Sequence, residues 1–225
     1  MSLERIEAAY ARRLQQDPRY HPLAPAQFQA VQARERVLAS LLRRHGWTDT
    51  QTLRAAELGC GSGTNLLTLL QLGFRAPQLC GVELLPERAG LARERLPAAL
   101  ELHQGDARQA PIASASQDLV LAFTVFSSVL DDGLQAELAT TAWRWLRPGG
   151  AVLMYDFAFD NPRNPDVRGV PLRRVRELFP QGRLDARRVT LAPPLARRLP
   201  PWALPFFDAL PWLRTHRLIH IRKPL

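Results

Sequence analysis

Ala55-Ala-Glu-Leu-Gly-Cys-Gly-Ser-Gly-Thr64 is the stretch of this chain that decides its fold. The apolar run at 53–58 predicts a buried strand, and the residues at 63–72 predict a helix. Between them stand glycines at three alternate positions, 59, 61 and 63, which let the backbone turn sharply and approach a ligand closely. Because Thr64 stands where G-x-G-x-x-G would need glycine, the stretch is not the dinucleotide fingerprint. The pattern therefore predicts a strand, a ligand-binding loop and a helix whose amino terminus favours an anionic group.

Two carboxylates downstream extend this prediction. Glu83 ends the next predicted strand, 79–83, where its side chain can accept hydrogen bonds from both hydroxyls of a ribose. Asp106 follows the third predicted strand, 99–103, where it can accept a hydrogen bond from the exocyclic amine of adenine. Together with the glycine-rich loop, these carboxylates predict an adenosine site.

These residues resemble the motifs of the class I S-adenosylmethionine-dependent methyltransferases. The first motif is Glu57-x-Gly59-x-Gly61-x-Gly63, the second is Glu83 and the third is Asp106. A fourth, Leu146-Arg-Pro-Gly-Gly150, precedes the fifth strand, and the resemblance covers about residues 50–156. It implies an enzyme that uses S-adenosylmethionine and releases S-adenosylhomocysteine.

The resemblance also implies roles for individual residues in cofactor binding. Glu57 would order the loop near the methionine amino group, and Gly59 and Gly61 would contact the methionine portion. Glu83 would bind the ribose and Asp106 the adenine. The full set of cofactor-binding residues that we expect is Glu57, Gly59, Cys60, Gly61, Glu83, Leu84, Asp106, Ala107, Phe123, Thr124, Tyr10 and Tyr20.

Apolar runs that alternate with helical stretches predict an α/β fold with a parallel sheet. Further strands are expected at 118–123 and 151–156 and helices at 86–95 and 132–146, followed by a helix at 171–179 and strands at 187–191 and 214–222. The resemblance implies a Rossmann-like, seven-stranded, mostly parallel sheet with the last strand antiparallel and helices on both faces. We expect one methyltransferase domain at 51–225, with residues 1–50 as a helical lid.

Composition and charge exclude several classes of protein. The chain has 225 residues, 46% hydrophobic and 23% charged, which excludes a disordered or collagen-like chain. Two cysteines without metal-ligand spacing indicate neither a disulfide scaffold nor a metal site, and we expect a cytoplasmic protein. The formal net charge is +9, of which residues 155–225 contribute +8 (14 Arg and Lys against 6 Asp and Glu). A partner attracted by this positive charge would bind to the carboxyl-terminal third of the chain.

The end of the fourth predicted strand narrows the acceptor. Leu121-Ala-Phe-Thr124 lacks the D/N-P-P-Y/F tetrapeptide of amino-methylating DNA enzymes, and no Pro-Cys serves cytosine C5 chemistry, so we expect no DNA partner. A small-molecule, lipid or glycan acceptor remains. The loop at 160–168 resembles loops of bacterial methyltransferases in secondary-metabolite and cell-surface biosynthesis, which implies that context. A non-catalytic cofactor-binding subunit and an RNA methyltransferase are the alternatives. Asp156 is the candidate general base, preferred over Asp131, Asp132 and Tyr155.

Candidate substrate residues lie in the carboxyl-terminal third. Arg163 and Arg168 stand in a loop after the fifth strand, where they could meet an anionic group. Trp202 belongs to the proline-punctuated apolar run at 199–213, together with Phe206, Phe207 and Trp212. We interpret this run as an acceptor pocket. A homodimer surface, a membrane-surface contact and plain burial against the sheet remain the alternatives.

Overall fold

The computed structural model describes residues 21–160 and 164–225. Seven strands form one sheet: β1 (Ala55–Leu58), β2 (Leu79–Glu83), β3 (Glu101–Gln104), β4 (Gln117–Phe123), β5 (Leu146–Phe157), β6 (Arg183–Leu191) and β7 (Arg214–Arg222). Their spatial order is β3-β2-β1-β4-β5-β7-β6. The first five strands pair in parallel, and β7 pairs antiparallel with both β5 and β6. The predicted fold class is confirmed.

Helices cover both faces of the sheet. They are α1 (Pro25–Arg44), α2 (Thr64–Gln71), α3 (Pro86–Arg95), α4 (Asp132–Trp145) and α5 (Leu172–Leu178), with two short helices, α6 (Pro193–Ala196) and α7 (Leu204–Asp208), between β6 and β7. Strands β1, β2 and β4 are buried along their whole length, as expected for a sheet covered on both faces. No helix of the described residues is both long enough and apolar enough to cross a membrane.

The helix α1 covers one face of the sheet. Its apolar side chains at positions 33, 38, 41 and 42 are buried in a core cluster with residues of β1, β4 and β5. Beyond the end of this helix, the Nε2 atom of His45 lies 3.2 Å from a carboxylate oxygen of Asp185 in β6. The indole N–H of Trp47 donates to the Nε2 atom of His220 in β7. The described part of the expected lid therefore lies on the sheet. Residues 1–20, with Tyr10 and Tyr20, lie outside the described residues, so the lid stays a prediction.

Two strands begin four or five residues earlier than expected from the sequence. The fifth strand begins at Leu146 rather than at 151, because Leu146 already pairs with Gln117 before the register shifts to Leu119 and Ala151. The sixth begins at Arg183 rather than at 187, and its first four residues alternate between polar and apolar side chains. Polar residues at the start of an edge strand give no apolar run, so the sequence pattern underestimates the length of β6.

Candidate active site

The loop between β1 and α2 adopts the turn that its glycines permit. The backbone angle φ is +70° at Gly59, +58° at Gly61 and +81° at Gly63, a region that side-chain-bearing residues rarely adopt. At Gly63 an added Cβ would also lie 2.6 Å from a methyl carbon of Leu96. The loop therefore requires glycine at these positions, as the sequence predicts.

Glu83 is locked in place at the end of β2. One carboxylate oxygen accepts a hydrogen bond from the Gly61 N–H at 2.7 Å, and the other accepts from the Leu85 N–H at 2.9 Å. The residue is 5% exposed. Because each carboxylate oxygen has two lone pairs, both keep one for a further donor. This carboxylate couples the glycine-rich loop to β2 and can still accept from two hydroxyl groups.

A cavity opens at the carboxyl ends of β1, β2 and β4, where ligands bind in open parallel sheets. Seven of the expected cofactor-binding residues line it: Gly59, Glu83, Leu84, Asp106, Ala107, Phe123 and Thr124. The remainder of its wall includes Leu58, Val82, Leu85, Arg88, Gly105, Val125, Ser128, Val129 and Leu138. Cys60 lies behind the loop, where burial raises the pKa of its thiol, so it is a small apolar residue. The structure thus brings together most of the residues proposed from sequence.

Asp106 lines this cavity but already has a strong partner. Its carboxylate accepts from the backbone N–H of Arg108 at 3.0 Å and from the Arg108 guanidinium through both oxygens. Arg108 also pairs with Glu137 of α4. The Arg108 hydrogen bonds and charge hold the pKa of Asp106 below its usual value although burial opposes them. An adenine amine would have to share these oxygens, so its binding to Asp106 stays a prediction.

Arg34 of α1 packs over two aromatic residues of the sheet, one of which, Phe123, lines the cavity. Its guanidinium lies over two rings, 5.5 Å from the centroid of Phe123 and 5.3 Å from that of Tyr155. Within the described residues it makes no ion pair or hydrogen bond. The chain gives little signal for this, because Arg34 stands in a row of three charged residues on α1 and only the packed helix shows which of them faces inward.

Glu57, at the end of β1, is close enough to Arg34 for the charge of this arginine to affect its pKa. It is fully buried, and one of its oxygens accepts from the side-chain amide of Asn65, while Oε2 has no hydrogen-bond partner within the described residues. Burial raises the pKa of Glu57 to about 8, and the positive charge of Arg34 opposes that rise. Within the described residues, Glu57 thus has a carboxylate oxygen without a donor, and Arg34 has a guanidinium without an ion pair. These are the two groups that an amino acid zwitterion requires.

We expect Glu57 to lose its proton when a cationic amino group binds beside it. With a pKa of about 8, roughly nine tenths of Glu57 is protonated at pH 7 in the free protein, and a bound ammonium favours the carboxylate. Binding of S-adenosylhomocysteine at pH 7 should therefore release between about 0.5 and 1 proton more from the wild type than from Glu57→Gln. Titration calorimetry in phosphate and in Tris measures this release. Equal proton release by the two proteins would contradict this assignment.

Asp156, the candidate base, is 3% exposed and lies near the carboxyl end of β5. Its Oδ1 accepts from the Ser127 N–H at 3.3 Å, and burial raises its pKa to about 7. The residues that line the cavity include Ser128 but not Asp156. Asp156 therefore contacts the turn Phe126–Ser128, and Ser128 of that turn lines the cavity.

The expected substrate residues are spread over the surface. Arg168 forms an ion pair with Asp132 at the start of α4, and its N–H donates to Ser127. Trp202 is 74% exposed, and Phe206 and Trp212 are 71% and 70% exposed, so the aromatic run is not buried against the sheet. Arg163 lies outside the described residues.

At the far end of the sheet, Cys80, Glu101 and His103 bring possible metal-ligand atoms within 4.8 Å of one another. Burial raises the pKa of the Cys80 thiol to about 12, which disfavours the thiolate that a metal requires.

The sheet order and the helices on both faces define a Rossmann-like fold. A family model described as a methyltransferase domain matches residues 55–150, which include the loop, Glu83 and Asp106. Over these residues the chain is similar to S-adenosylmethionine-dependent methyltransferases, and this likeness supports S-adenosylmethionine as the cofactor.

Two curated proteins are similar to part of this chain. One is an uncharacterised 37.1 kDa protein of a transposon in Streptomyces fradiae, 34% identical over 110 residues. The other is the tRNA N(3)-methylcytidine methyltransferase Mettl2 of Drosophila melanogaster, 32% identical over 110 residues. The matches cover 48% and 45% of this chain, which spans only about a third of the length of each relative, 31% and 33%.

Among solved structures, a putative sarcosine dimethylglycine methyltransferase from Galdieria sulphuraria is similar over nearly the whole chain. The match covers 98% of both chains with a TM-score of 0.64 and 15% sequence identity. At this identity the likeness shows the fold alone.

Proposed function

We propose that this chain transfers the methyl group of S-adenosylmethionine to a small-molecule, lipid or glycan acceptor. The observation that carries the proposal is the placement of three charged groups: Glu83 lines the cavity, and Glu57 and Arg34 lie outside its lining. Glu83 offers two free lone pairs where a ribose is expected, and Glu57 and Arg34 offer an acceptor and a cation where the methionine is expected. S-Adenosylmethionine would supply a methyl group on a sulfonium: the acceptor atom attacks the methyl carbon in line, and S-adenosylhomocysteine leaves. The residues of this chain fit that group.

Positioning supplies most of the catalysis that such a displacement needs. The backbone at Thr124 has φ of +57°, and its N–H donates to the carbonyl of Tyr155, which fixes the end of β4 beside the cavity. Phe123 and Tyr155 pack at 5.6 Å between ring centroids and form an apolar wall next to Thr124. Tyr155 is itself held by a hydrogen bond to Thr190 at 2.8 Å. This wall would exclude water from the reacting atoms and orient the acceptor.

Asp156 acts in this proposal as a positioning residue, because its carboxylate holds the turn Phe126–Ser128 instead of facing the cavity. We expect Asp156→Asn to lower kcat less than about tenfold and to leave the pH dependence of kcat unchanged. A general base with a pKa of about 7 would behave differently. Its loss would lower kcat by about 100-fold or more and remove the limb of the pH profile near pH 7. Steady-state rates between pH 5.5 and 9 separate the two roles.

RNA methylation is the second candidate, and two observations favour it. One of the two curated relatives carries the name of a tRNA methyltransferase. In addition, exposed aromatic side chains at Trp202, Phe206 and Trp212 lie in the basic carboxyl-terminal third of the chain, and exposed rings beside arginines can stack on unpaired bases.

The deciding experiment follows tritium from the methyl group of S-adenosylmethionine. The protein is incubated with total tRNA, with a small-metabolite extract and with a lipid extract in separate reactions, and Glu83→Ala is the control. We expect label in the metabolite or the lipid fraction and none in tRNA. Label in tRNA would establish the second candidate. No label in any fraction, combined with intact binding of S-adenosylhomocysteine, would favour the non-catalytic subunit.

A further inference from the structure

Two arginines share one aromatic ring beyond the cavity. Phe159 follows the end of β5 and is 51% exposed. The guanidinium carbon of Arg188 in β6 lies 5.2 Å from the centroid of this ring, and that of Arg217 in β7 lies 5.7 Å from it. Arg188 and Arg217 stand directly opposite each other in the β6–β7 ladder. Two cations are therefore held against one apolar group at the same edge of the molecule.

The charge of this pair is not compensated by the protein. Within the described residues neither guanidinium forms an ion pair, and the Nη1 atom of Arg217 is buried without a hydrogen-bond partner. Asp156 is opposite Arg217 in the β5–β7 ladder but is bonded to Ser127 instead. Burial and the neighbouring charge of Arg188 lower the pKa of Arg217. A buried, unpaired donor next to a like charge is costly, and an anion at this position would remove both costs.

We propose that Arg188 and Arg217 bind an anionic group, a phosphate or a carboxylate, of the methyl acceptor, with the ring of Phe159 against the adjoining part of that molecule. This inference rests on the proposed function. The planar fork of a guanidinium matches both anions, and two forks can hold one group from two sides.

The position of the pair suits an acceptor of moderate size. Phe123 at the end of β4 pairs with Tyr155 of β5, and the next residue, Asp156, pairs with Arg217. Phe123 and Arg217 therefore lie at the same end of the sheet, Phe123 on the face that α1 covers and Arg217 on the other face. Strand β7 is two strands from β4 and β6 is three, so at 4.7–4.9 Å per strand the pair lies about 10–15 Å from the methyl-transfer position. The acceptor atom and the anionic group would be separated by about this distance.

The test needs no knowledge of the acceptor. Protein labelled with nitrogen-15 and saturated with S-adenosylhomocysteine is titrated with inorganic pyrophosphate and, separately, with citrate, and the side-chain Nε–H signals of arginine are followed by NMR. We expect saturable shifts at millimolar concentrations for one of the two anions, which identifies phosphate or carboxylate. Arg188→Gln and Arg217→Gln should each weaken this binding at least tenfold.

Arg183→Gln is the matched control, because Arg183 begins the same strand at the opposite end of the sheet and its loss removes the same charge. It should bind within twofold of the wild type. Equal weakening by Arg183→Gln and Arg188→Gln, or no saturable shift up to about 50 mM, would overturn the proposal. If Arg217→Gln does not fold by its melting transition, Arg188→Gln and Phe159→Leu decide the outcome.

Measuring the affinity for S-adenosylhomocysteine beside anion binding distinguishes a failure of this inference from a failure of the proposed function. If the anion site is wrong but the function is right, the variants bind both anions like the wild type while cofactor binding and methyl transfer persist. If the function is wrong, anion binding at the pair persists without transfer to any acceptor. A short oligoribonucleotide is tested in the same way. If it binds through the same two arginines at least 100-fold more tightly than pyrophosphate, the proposal of a small acceptor is wrong.

Discussion

Glu83→Ala should reduce the affinity for S-adenosylhomocysteine by at least about 100-fold, which corresponds to about 2.7 kcal/mol. The carboxylate accepts from Gly61 and Leu85 and would also accept from both ribose hydroxyls. Its removal leaves two backbone donors and two ligand donors without an acceptor. Each unpaired buried donor costs about 1–3 kcal/mol, so the loss affects both the glycine-rich loop and the ribose. Titration calorimetry measures this affinity directly.

Glu87→Ala is the control for this experiment. Glu87 is an exposed acid in the first turn of α3, four residues after Glu83, so its loss removes the same charge without touching the loop. Its affinity should stay within twofold of the wild type. Glu83→Gln keeps the size of the side chain and one carbonyl acceptor and should bind with intermediate affinity. Binding of Glu83→Ala within twofold of the wild type would refute the ribose assignment.

The central part of the fold could be predicted because its signals are local. The alternation of apolar runs with helical stretches, the three glycines and the carboxylate that ends β2 each lie within a few residues of the feature they determine. Strands β1, β2 and β4 are buried on both faces, so their polar residues stand only at or near the strand ends and the apolar runs between them are clear in the sequence.

The positions of Arg34, Arg188 and Arg217 could not be predicted from the sequence, because these side chains meet their neighbours only through packing. Arg34 reaches Phe123 and Tyr155 from a helix about 90 and 120 residues earlier in the chain, and its neighbours in sequence, Glu35 and Arg36, face elsewhere. No periodicity distinguishes these three charges. Arg188 and Arg217 likewise become neighbours only when β6 and β7 pair.

The role of Asp156 also depends on packing, although the sequence favours it as a general base. Its position at the end of β5 is the place where catalytic groups occur in such sheets, and the sequence gives that position correctly. Side chains on a strand alternate between the two faces of the sheet. Here Tyr155 belongs to the face that α1 covers, whereas Asp156 lies on the other face, below the turn Phe126–Ser128. The direction of the side chain decides its role, and that direction depends on the register of β5.

Arg34→Gln should separate the two halves of the cofactor. If the guanidinium binds the methionine carboxylate, the variant loses charge-assisted hydrogen bonds worth about 1.5–3 kcal/mol, and its affinity for S-adenosylhomocysteine falls by about 10-fold to 100-fold. Its affinity for 5′-methylthioadenosine, which has the adenosine and the sulfur but no amino acid, should stay within twofold. Glu83→Ala, by contrast, should weaken both ligands, because the ribose is common to them.

Arg36→Gln is the matched control for Arg34→Gln, because Arg36 lies two residues further along α1, is exposed and carries the same charge. A fall in affinity caused only by a changed net charge would appear in both variants and for both ligands. A loss confined to Arg34→Gln and to the ligand with an amino acid can come only from contact at that end of the cavity. If Arg34→Gln weakens the two ligands equally, or neither, Arg34 does not bind the methionine carboxylate. Its place over Phe123 and Tyr155 would then make it a contact for the acceptor.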